Sequence, residues 1–164
     1  MESVNQKKRR IFGKKDFKDY LEELNKLAKF PVTINHIISI VETDKILESF
    51  NGKRIYKERM EFKDKIKLQT IFSNISRIVL DDFLLFTSYS KNCGAMHLKS
   101  INNFNHAFKF NDEHSGLISL INECLDVKIV MDFYEEQNEE YLELEIYTID
   151  NKIISTPILD SIIV

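Results

Sequence analysis

The sequence is poor in glycine, proline and cysteine. Its 164 residues include four glycines, two prolines, two cysteines and no tryptophan. So few glycines and prolines exclude a collagen-like repeat and argue against a disordered or loop-dominated chain. They also leave little material for a glycine-rich phosphate loop. The dinucleotide-binding, P-loop, zinc-protease and serine-hydrolase motifs are absent from the sequence.

The two cysteines, Cys93 and Cys124, lie outside any CxxC pattern. Two cysteines in a chain of this length do not make a disulfide scaffold. No apolar run approaches the ~18 residues that a membrane span requires, and the first 30 residues lack the apolar core of a secretory signal. We therefore expect a cytoplasmic protein in a reducing environment, with no membrane association.

The charge is unevenly distributed along the chain. The net charge is −3, but residues 1–82 carry a net charge of +5 and residues 83–164 one of −8. Six lysines and arginines fall within residues 1–15, which we interpret as a basic flexible N-terminal segment that precedes a single domain at residues 16–164. The acidic half would attract a basic partner. Ordinary solvated faces explain the asymmetry equally well.

Hydrophobic periodicity predicts an α+β fold, in which an antiparallel sheet ends in a C-terminal β-meander and helices pack mainly on one face. Residues 32–41 fit either a helix or a strand, and we favour a helix. The predicted helices cover residues 16–29 (capped by Asp16), 44–50, 63–75 and a stretch from Asn111 or Asp112 to Leu125, whose apolar stripe would place Cys124 in the core. Residues 90–94 are predicted to form a loop and residues 150–151 a turn, and the tail after Pro157 is apolar. The predicted strands cover residues 53–62 (an exposed edge), 77–80, 83–89, 95–101 and 152–156, besides the hairpin described next.

The most distinctive stretch runs from Val127 to Asp150 and is rich in carboxylates, with a single lysine. Two alternating runs flank a polar centre at residues 135–140, and this pattern predicts a β-hairpin with one apolar face. Tyrosine and carboxylate side chains together are typical of surfaces that bind basic proteins, although a solvated sheet face is an equal alternative. The predicted partner-binding residues are Asp132, Tyr134, Tyr141, Glu143, Glu145 and Tyr147.

Candidate catalytic and metal-binding residues are few. Cys93 and His97 are four residues apart, and no third group is placed to orient them as nucleophile and base. A second set lacks the paired spacing of zinc ligands; it consists of His97, His106, His114, Asp112 and Glu113. We therefore predict no catalytic residue, no metal and no cofactor.

Asp44 followed by Glu61 and Lys63 resembles the acidic-plus-ExK pattern of restriction-endonuclease-like nucleases. The resemblance implies carboxylates that hold a divalent metal and a lysine that orients the attacking water. It covers three residues, and the βαβ context of that family does not follow Lys63. The alternative function is therefore a nucleic-acid-binding protein or metal-dependent nuclease that uses the basic N-terminal half.

In general character the chain resembles the immunity proteins of bacterial toxin systems, since it is small, acidic-faced, glycine-poor and without a catalytic signature. The resemblance implies a stoichiometric inhibitor that masks a basic toxin domain. The function we predict is a non-enzymatic protein-binding module of this toxin-neutralising kind. A third hypothesis is a structural subunit whose hairpin edge pairs with another copy of the chain.

Overall fold

The computed structural model of the chain describes residues 1–149. The helices are α1 (Val4–Leu27), α2 (Ile40–Ser49), α3 (Lys65–Ile78) and α4 (Ser90–Cys93), and the strands are β1 (Lys53–Glu61), β2 (Phe83–Phe86), β3 (Met96–Leu98), β4 (Leu117–Asn122), β5 (Val127–Glu136) and β6 (Glu139–Thr148). The six strands form one antiparallel sheet in the order β1-β6-β5-β4-β2-β3. The strand predicted at 152–156, the turn before it and the apolar tail lie outside the described residues.

The predicted α+β class is confirmed, including the antiparallel C-terminal meander of β4, β5 and β6. The predicted edge strand is β1, which pairs with β6 and with no other strand in residues 1–149. The predicted hairpin is formed by β5 and β6, and its apolar side is buried as the alternation requires. β2 and β3 pair antiparallel within the two segments predicted as neighbouring strands.

The first helix begins earlier than predicted. Ser3 accepts a hydrogen bond from the backbone of Gln6, and the Gln6 side chain accepts one from the backbone of Ser3, so a capping box starts α1 at Val4. The prediction that Asp16 caps this helix is wrong, and residues 4–15, predicted to be flexible, are helical. α1 has 24 residues, yet neither it nor any other helix within residues 1–149 is apolar enough to cross a bilayer.

The second helix also begins earlier than predicted. Ser39 and Glu42 form a capping box that starts α2 at Ile40 instead of residue 44. The ambiguous stretch at 32–41 divides into a 3₁₀ turn at Ile34–His36, extended backbone and the first turn of α2. The helix predicted across this stretch is therefore wrong for most of its length.

The helix predicted to end at Leu125 is wrong, because Leu117–Asn122 form the strand β4. The apolar residues of β4 follow one another almost without a break. Ile118 and Leu120 face the main core, whereas Ile121 faces the opposite side of the sheet. A strand buried on both faces has no alternation to distinguish it from a helix. Cys124, predicted to lie in the core, is exposed in the connection that follows.

Two smaller predictions also differ from the structure. Residues 77–78 complete α3 and are not a strand, because the helix continues to Ile78. Residues 90–94, predicted as a loop, contain the single turn α4, which ends at Gly94 with φ of +94°. A side chain at Gly94 would bring a Cβ to 2.0 Å from the backbone oxygen of Ile38, so only glycine fits this approach.

The sheet has one fully covered face and one partly covered face. α1 and α3 pack with the main core on the first face, and they contribute Tyr20, Leu24, Leu27, Leu68, Ile71, Phe72 and Ile75. α2 packs on the opposite face but covers only the region of β2 and β4, where Leu84, Phe86 and Ile121 contact Ile46 and Phe50. The fold is thus a three-layer arrangement at β2 and β4 and a two-layer arrangement elsewhere.

Candidate protein-binding surface

The outward face of β1, β6 and β5 carries no helix among residues 1–149, and we call this surface the open face. All six residues predicted to bind a partner lie on it. The predicted residues are half-buried, except for the exposed Asp132. The outward side chains include Arg54, Lys57 and Arg59 of β1, Tyr141, Glu143, Glu145 and Tyr147 of β6, and Lys128, Val130, Asp132 and Tyr134 of β5.

The basic side chains of β1 neutralise the central carboxylates of the open face. The antiparallel register places Lys57 opposite Glu145 and Arg59 opposite Glu143. The Lys57 Nζ lies 3.0 Å from a Glu143 oxygen and 3.3 Å from a Glu145 oxygen, and Arg54 lies 3.1 Å from Glu145. The middle of the face is therefore a network of paired charges, whereas the sequence of the hairpin alone indicated an acidic surface.

Two tyrosines and one arginine form a stack on the open face. The guanidinium carbon of Arg59 lies 3.9 Å from the ring centre of Tyr141 and 5.6 Å from that of Tyr134. The two rings are cross-strand neighbours, with centroids 6.1 Å apart. The Tyr134 hydroxyl donates a 3.0 Å hydrogen bond to Glu143. These contacts hold two flat aromatic side chains in place before any partner arrives.

The carboxylates of the open face differ in the direction in which their pKa values are shifted. Hydrogen bonds from Lys57 and Tyr134 hold the pKa of Glu143 below its usual range. A hydrogen bond from the Tyr147 hydroxyl, with further help from Lys57, does the same for the pKa of Glu145. Partial desolvation and the charges of both glutamates raise the pKa of Asp132. Asp132 is thus the carboxylate of this face that the cations of β1 compensate least.

The end of the hairpin concentrates four exposed glutamates. We call Glu135, Glu136, Glu139 and Glu140 the acidic tip. The ladder places Glu135 directly opposite Glu140, and Glu136 opposite Glu139. Arg59 forms an ion pair with Glu136, but all four glutamates are exposed. Like charges opposite each other destabilise a sheet, whereas Arg59, Lys63 and Lys65 interact favourably with the acidic tip, so its negative charge is compensated only in part.

The turn at the acidic tip has an unusual backbone. Gln137 and Asn138 have φ values of +53° and +66°, which is the conformation of a two-residue type I′ hairpin turn. This turn matches the twist of the strands and keeps the hairpin straight to its end. The acidic tip is therefore carried on regular strand backbone rather than on a long loop.

The structure does not bring the three residues of the nuclease-like pattern together. Asp44 lies on α2, where it forms an ion pair with Arg9 and accepts a hydrogen bond from Gln6 at 2.9 Å. Glu61 lies at the end of β1, and its carboxylate pairs with Lys63 at 2.9 Å. Within residues 1–149, neither acidic residue belongs to a group whose ligand atoms are close enough to share a metal.

The predicted thiol and imidazole candidates are also separate. The Cys93 thiol faces the backbone oxygen of Gly13 at 3.5 Å, and burial raises its pKa to about 11. His97 instead contacts Asp82 at 2.8 Å and Glu123 at 3.3 Å. A thiol with a raised pKa holds little thiolate at neutral pH, so this pair lacks the arrangement of a nucleophile and its base.

Comparison with known proteins found no matching family model, no matching curated sequence and no matching solved structure.

Proposed function

We propose that the protein is a non-enzymatic protein-binding module that contacts a basic partner through the acidic tip and the adjoining open face. The observation that carries the proposal is the pairing of glutamate with glutamate across the end of the β5–β6 hairpin. Carboxylates that repel one another in the free protein are stabilised most when a cationic surface approaches them. Electrostatic attraction of this kind raises the rate of association with a basic partner.

The Arg59–Tyr141–Tyr134 stack supplies the second part of the proposed contact. Tyrosine and arginine are enriched among the residues that dominate the energetics of protein interfaces, and tyrosine buries a large area with few rotatable bonds. Contacts with Arg59 and Glu143 already restrict both rings, so little conformational entropy remains to be lost on binding. Asp132, Glu143, Glu145 and Tyr147 surround the stack and form the polar rim of the proposed interface.

The partner we propose is a basic toxin domain, and the protein would then act as an immunity protein or inhibitor in a bacterium. A one-to-one inhibitor requires a preformed, rigid binding surface and needs no catalytic activity. The open face offers regular strands, fixed tyrosines and paired charges, which are features of such a surface.

The test uses the product of the adjacent gene as the candidate partner. Calorimetry compares the wild-type chain with Glu139→Lys/Glu140→Lys and with Tyr141→Ala. We expect the double reversal to weaken binding about tenfold by slowing association. We expect Tyr141→Ala to weaken it about thirtyfold, as the loss of a central hot-spot residue does. Inhibition of the partner's activity should saturate at one equivalent and should fall in the same order.

The matched control is Glu22→Lys/Glu48→Lys, which changes the net charge equally at two exposed glutamates of α1 and α2. Its affinity should stay within about twofold of the wild type. An equal loss of affinity in both double variants would show that the effect comes from net charge. That result would exclude the acidic tip as the contact. Salt-sensitive binding of a labelled DNA duplex by the wild-type chain would favour the nucleic-acid alternative.

A further inference from the structure

A second group of ionisable side chains lies on the opposite side of the sheet from the open face. Glu23 of α1 meets Glu113 and His114, which precede β4. The His114 Nδ1 lies 2.8 Å from Glu23 Oε2 and 3.9 Å from Glu113 Oε1. Glu23 is 6% exposed and Glu113 is 2% exposed, whereas half of the His114 side chain is accessible. Two carboxylates and one imidazole thus converge at a largely buried point.

The local chain holds two of these groups in fixed positions. Glu113 Oε2 accepts hydrogen bonds from the backbone of Ser115 at 2.9 Å and of Gly116 at 2.6 Å, while Oε1 accepts one from the Ser115 hydroxyl at 2.6 Å. On the other ring edge, His114 Nε2 lies 3.0 Å from the Ser88 hydroxyl. The Tyr89 ring packs 4.5 Å from the imidazole. His114 Nδ1 is therefore directed at the carboxylates, as outer contacts direct a metal-ligating histidine.

One atom of the cluster has no partner. Glu23 Oε1 is buried and forms no hydrogen bond within residues 1–149. Burial raises the pKa of Glu23 and the charge of Glu113 adds to the rise, while polar contacts with His114 and Thr87 offset part of it. A buried carboxylate oxygen without a donor is costly. Because the Glu23 side chain is only 6% exposed, water compensates this oxygen poorly, and a bound cation would stabilise it.

The charges around the cluster favour a cation as well. The pKa of Tyr89 is raised by partial desolvation and by the charges of Asp19, Glu23 and Asp16. No lysine or arginine forms an ion pair with Glu23 or Glu113 in the described part of the chain. Half-exposed His114 is the single group with a compensating charge, and it carries that charge only when protonated.

We propose that Glu23, Glu113 and His114 bind a divalent transition-metal ion, for which Zn²⁺ is the best candidate. Their ligand atoms all lie within 4.8 Å of one another. Tetrahedral zinc, with bonds of about 2.0–2.2 Å, separates its ligand atoms by about 3.3 Å. The His114 Nδ1 lies 2.8 Å from Glu23 and 3.9 Å from Glu113, so the ligand atoms would move apart at Glu23 and closer at Glu113 to hold the ion.

A cavity adjoins the proposed site. Its volume is about 430 Å³, and Glu113 and His114 line it together with Phe110 and Phe133. Three protein ligands leave the fourth position of tetrahedral zinc for a water molecule that enters from this cavity. The donor set of one nitrogen and two oxygens suits Zn²⁺ better than the softer, thiolate-preferring Cu⁺ and better than Ca²⁺, which prefers six or more oxygens.

The chain contains a matched control in a second cluster of similar composition. Asp82, His97 and Glu123 also place one imidazole and two carboxylates within 4.8 Å. Their carboxylate side chains are 35% and 52% exposed, and no oxygen there is buried without a partner. Water therefore solvates the carboxylate charges of the second cluster, and we expect this cluster to bind zinc far more weakly.

The test is a zinc titration of the full chain after removal of metal with EDTA, with a chromophoric chelator as competitor. We expect one equivalent of Zn²⁺ to bind the wild type and to raise its Tm. We expect His114→Ala and Glu23→Gln each to weaken binding at least about tenfold, while His97→Ala binds like the wild type. Bound Co²⁺ should show four-coordinate visible absorption without a thiolate charge-transfer band, which excludes Cys93 and Cys124 as ligands.

Two results would overturn the proposal. One is the absence of zinc binding to the wild-type chain at millimolar concentration, and the other is equal binding by the wild type and His114→Ala. His114 is half-exposed but contacts the buried Glu23, so circular dichroism must show that each variant is folded before its zinc affinity is compared. The proposed zinc site is independent of the proposed partner binding. The variant Glu139→Lys/Glu140→Lys should therefore bind zinc as the wild type does.

Discussion

The two halves of the sheet differ in how many of their faces are covered. β2 and β4 are covered on both faces, by α1 and α3 on one side and by α2 on the other. On β1, β6 and β5, the described helices cover only the inward face. Leu84 and Ile121, outward residues of the first half that pack in the α2 layer, are 3% or less exposed, although Leu117 at the start of β4 is 47% exposed. Outward residues of the second half, such as Tyr141 and Glu143, stay partly accessible.

This difference separates stability from recognition within one sheet. In the closed half, formed by β2 and β4, both faces of each strand remove apolar area from water and so stabilise the fold. In the open half, formed by β1, β6 and β5, one face stabilises the fold and the other presents aromatic and charged side chains. Substitutions in the outward positions of the two halves should therefore change different measurable quantities.

The largest expected difference comes from truncating one outward residue in each half. We expect Leu84→Ala to lower the free energy of unfolding by about 2–5 kcal/mol, because it leaves a cavity between the sheet and α2. The matched Val130→Ala, at a half-buried outward position of β5, should cost less than about 1 kcal/mol. Urea denaturation measures both values. Equal losses would contradict the distinction between the closed and open halves.

A smaller change, of opposite sign, is expected at the hairpin turn of the open half. Gln137→Asn/Asn138→Gly installs the preferred residues for two consecutive positive φ values. Relief of the left-handed backbone should raise the free energy of unfolding by roughly 1 kcal/mol. Thermal and urea unfolding measure the gain, and Gln137→Asn alone serves as the control for the first position. A loss of stability would contradict the type I′ turn.

The smallest expected effect is a pH dependence of the paired charges on the open face. The pKa values of Glu143 and Glu145 are lowered in the folded chain, so the unfolded chain binds protons first as the pH falls. Their contribution is present above the unfolded pKa of about 4.3 and is lost as the pH falls through their folded values. It is small, because these side chains remain hydrated.

The variant Glu143→Gln/Glu145→Gln isolates this contribution. Its stability should lie slightly below that of the wild type at pH 7, and the difference should disappear in acid below the folded pKa values. High salt at pH 7 should also reduce the difference, since exposed ion pairs are screened. A difference that persists unchanged in acid would show that the ion pairs with Lys57 are not its source. Denaturation curves at a series of pH values provide the measurement.

The open half was largely predictable from the sequence, and the reason is its one-sided burial. Alternation in the β5–β6 hairpin correctly assigned both strands and the face on which Tyr134, Tyr141 and Glu143 lie. The turn is shorter than the predicted polar centre at residues 135–140, because the strands continue to Glu136 and from Glu139. The neutralising role of Lys57 and Arg59 was not predictable, because it depends on which strand pairs with β6. The alternation of basic residues in 53–62 was the available signal for that pairing.

The closed half was harder to predict, because burial on both faces removes the alternation of apolar and polar residues that identifies a strand. Apolar residues of β4 happen to recur at helical spacing, and tertiary packing decided in favour of the strand. The zinc-site candidate was missed for a different reason. Glu113 and His114 stood out in the sequence, but Glu23 lies 91 residues before His114. Nothing local indicates that the two residues meet.

The pairing of β1 with β6 imposes an order on biosynthesis. Lys53 pairs with Thr148, so β1 leaves the ribosome long before the strand that must bind it. The later β4–β5–β6 meander has only short connections and can form as a local unit, to which β1 is then added. The growing chain must therefore keep β1 unpaired until β6 has been synthesised. The dense charge of β1 is well suited to that interval, because it discourages premature association with other chains.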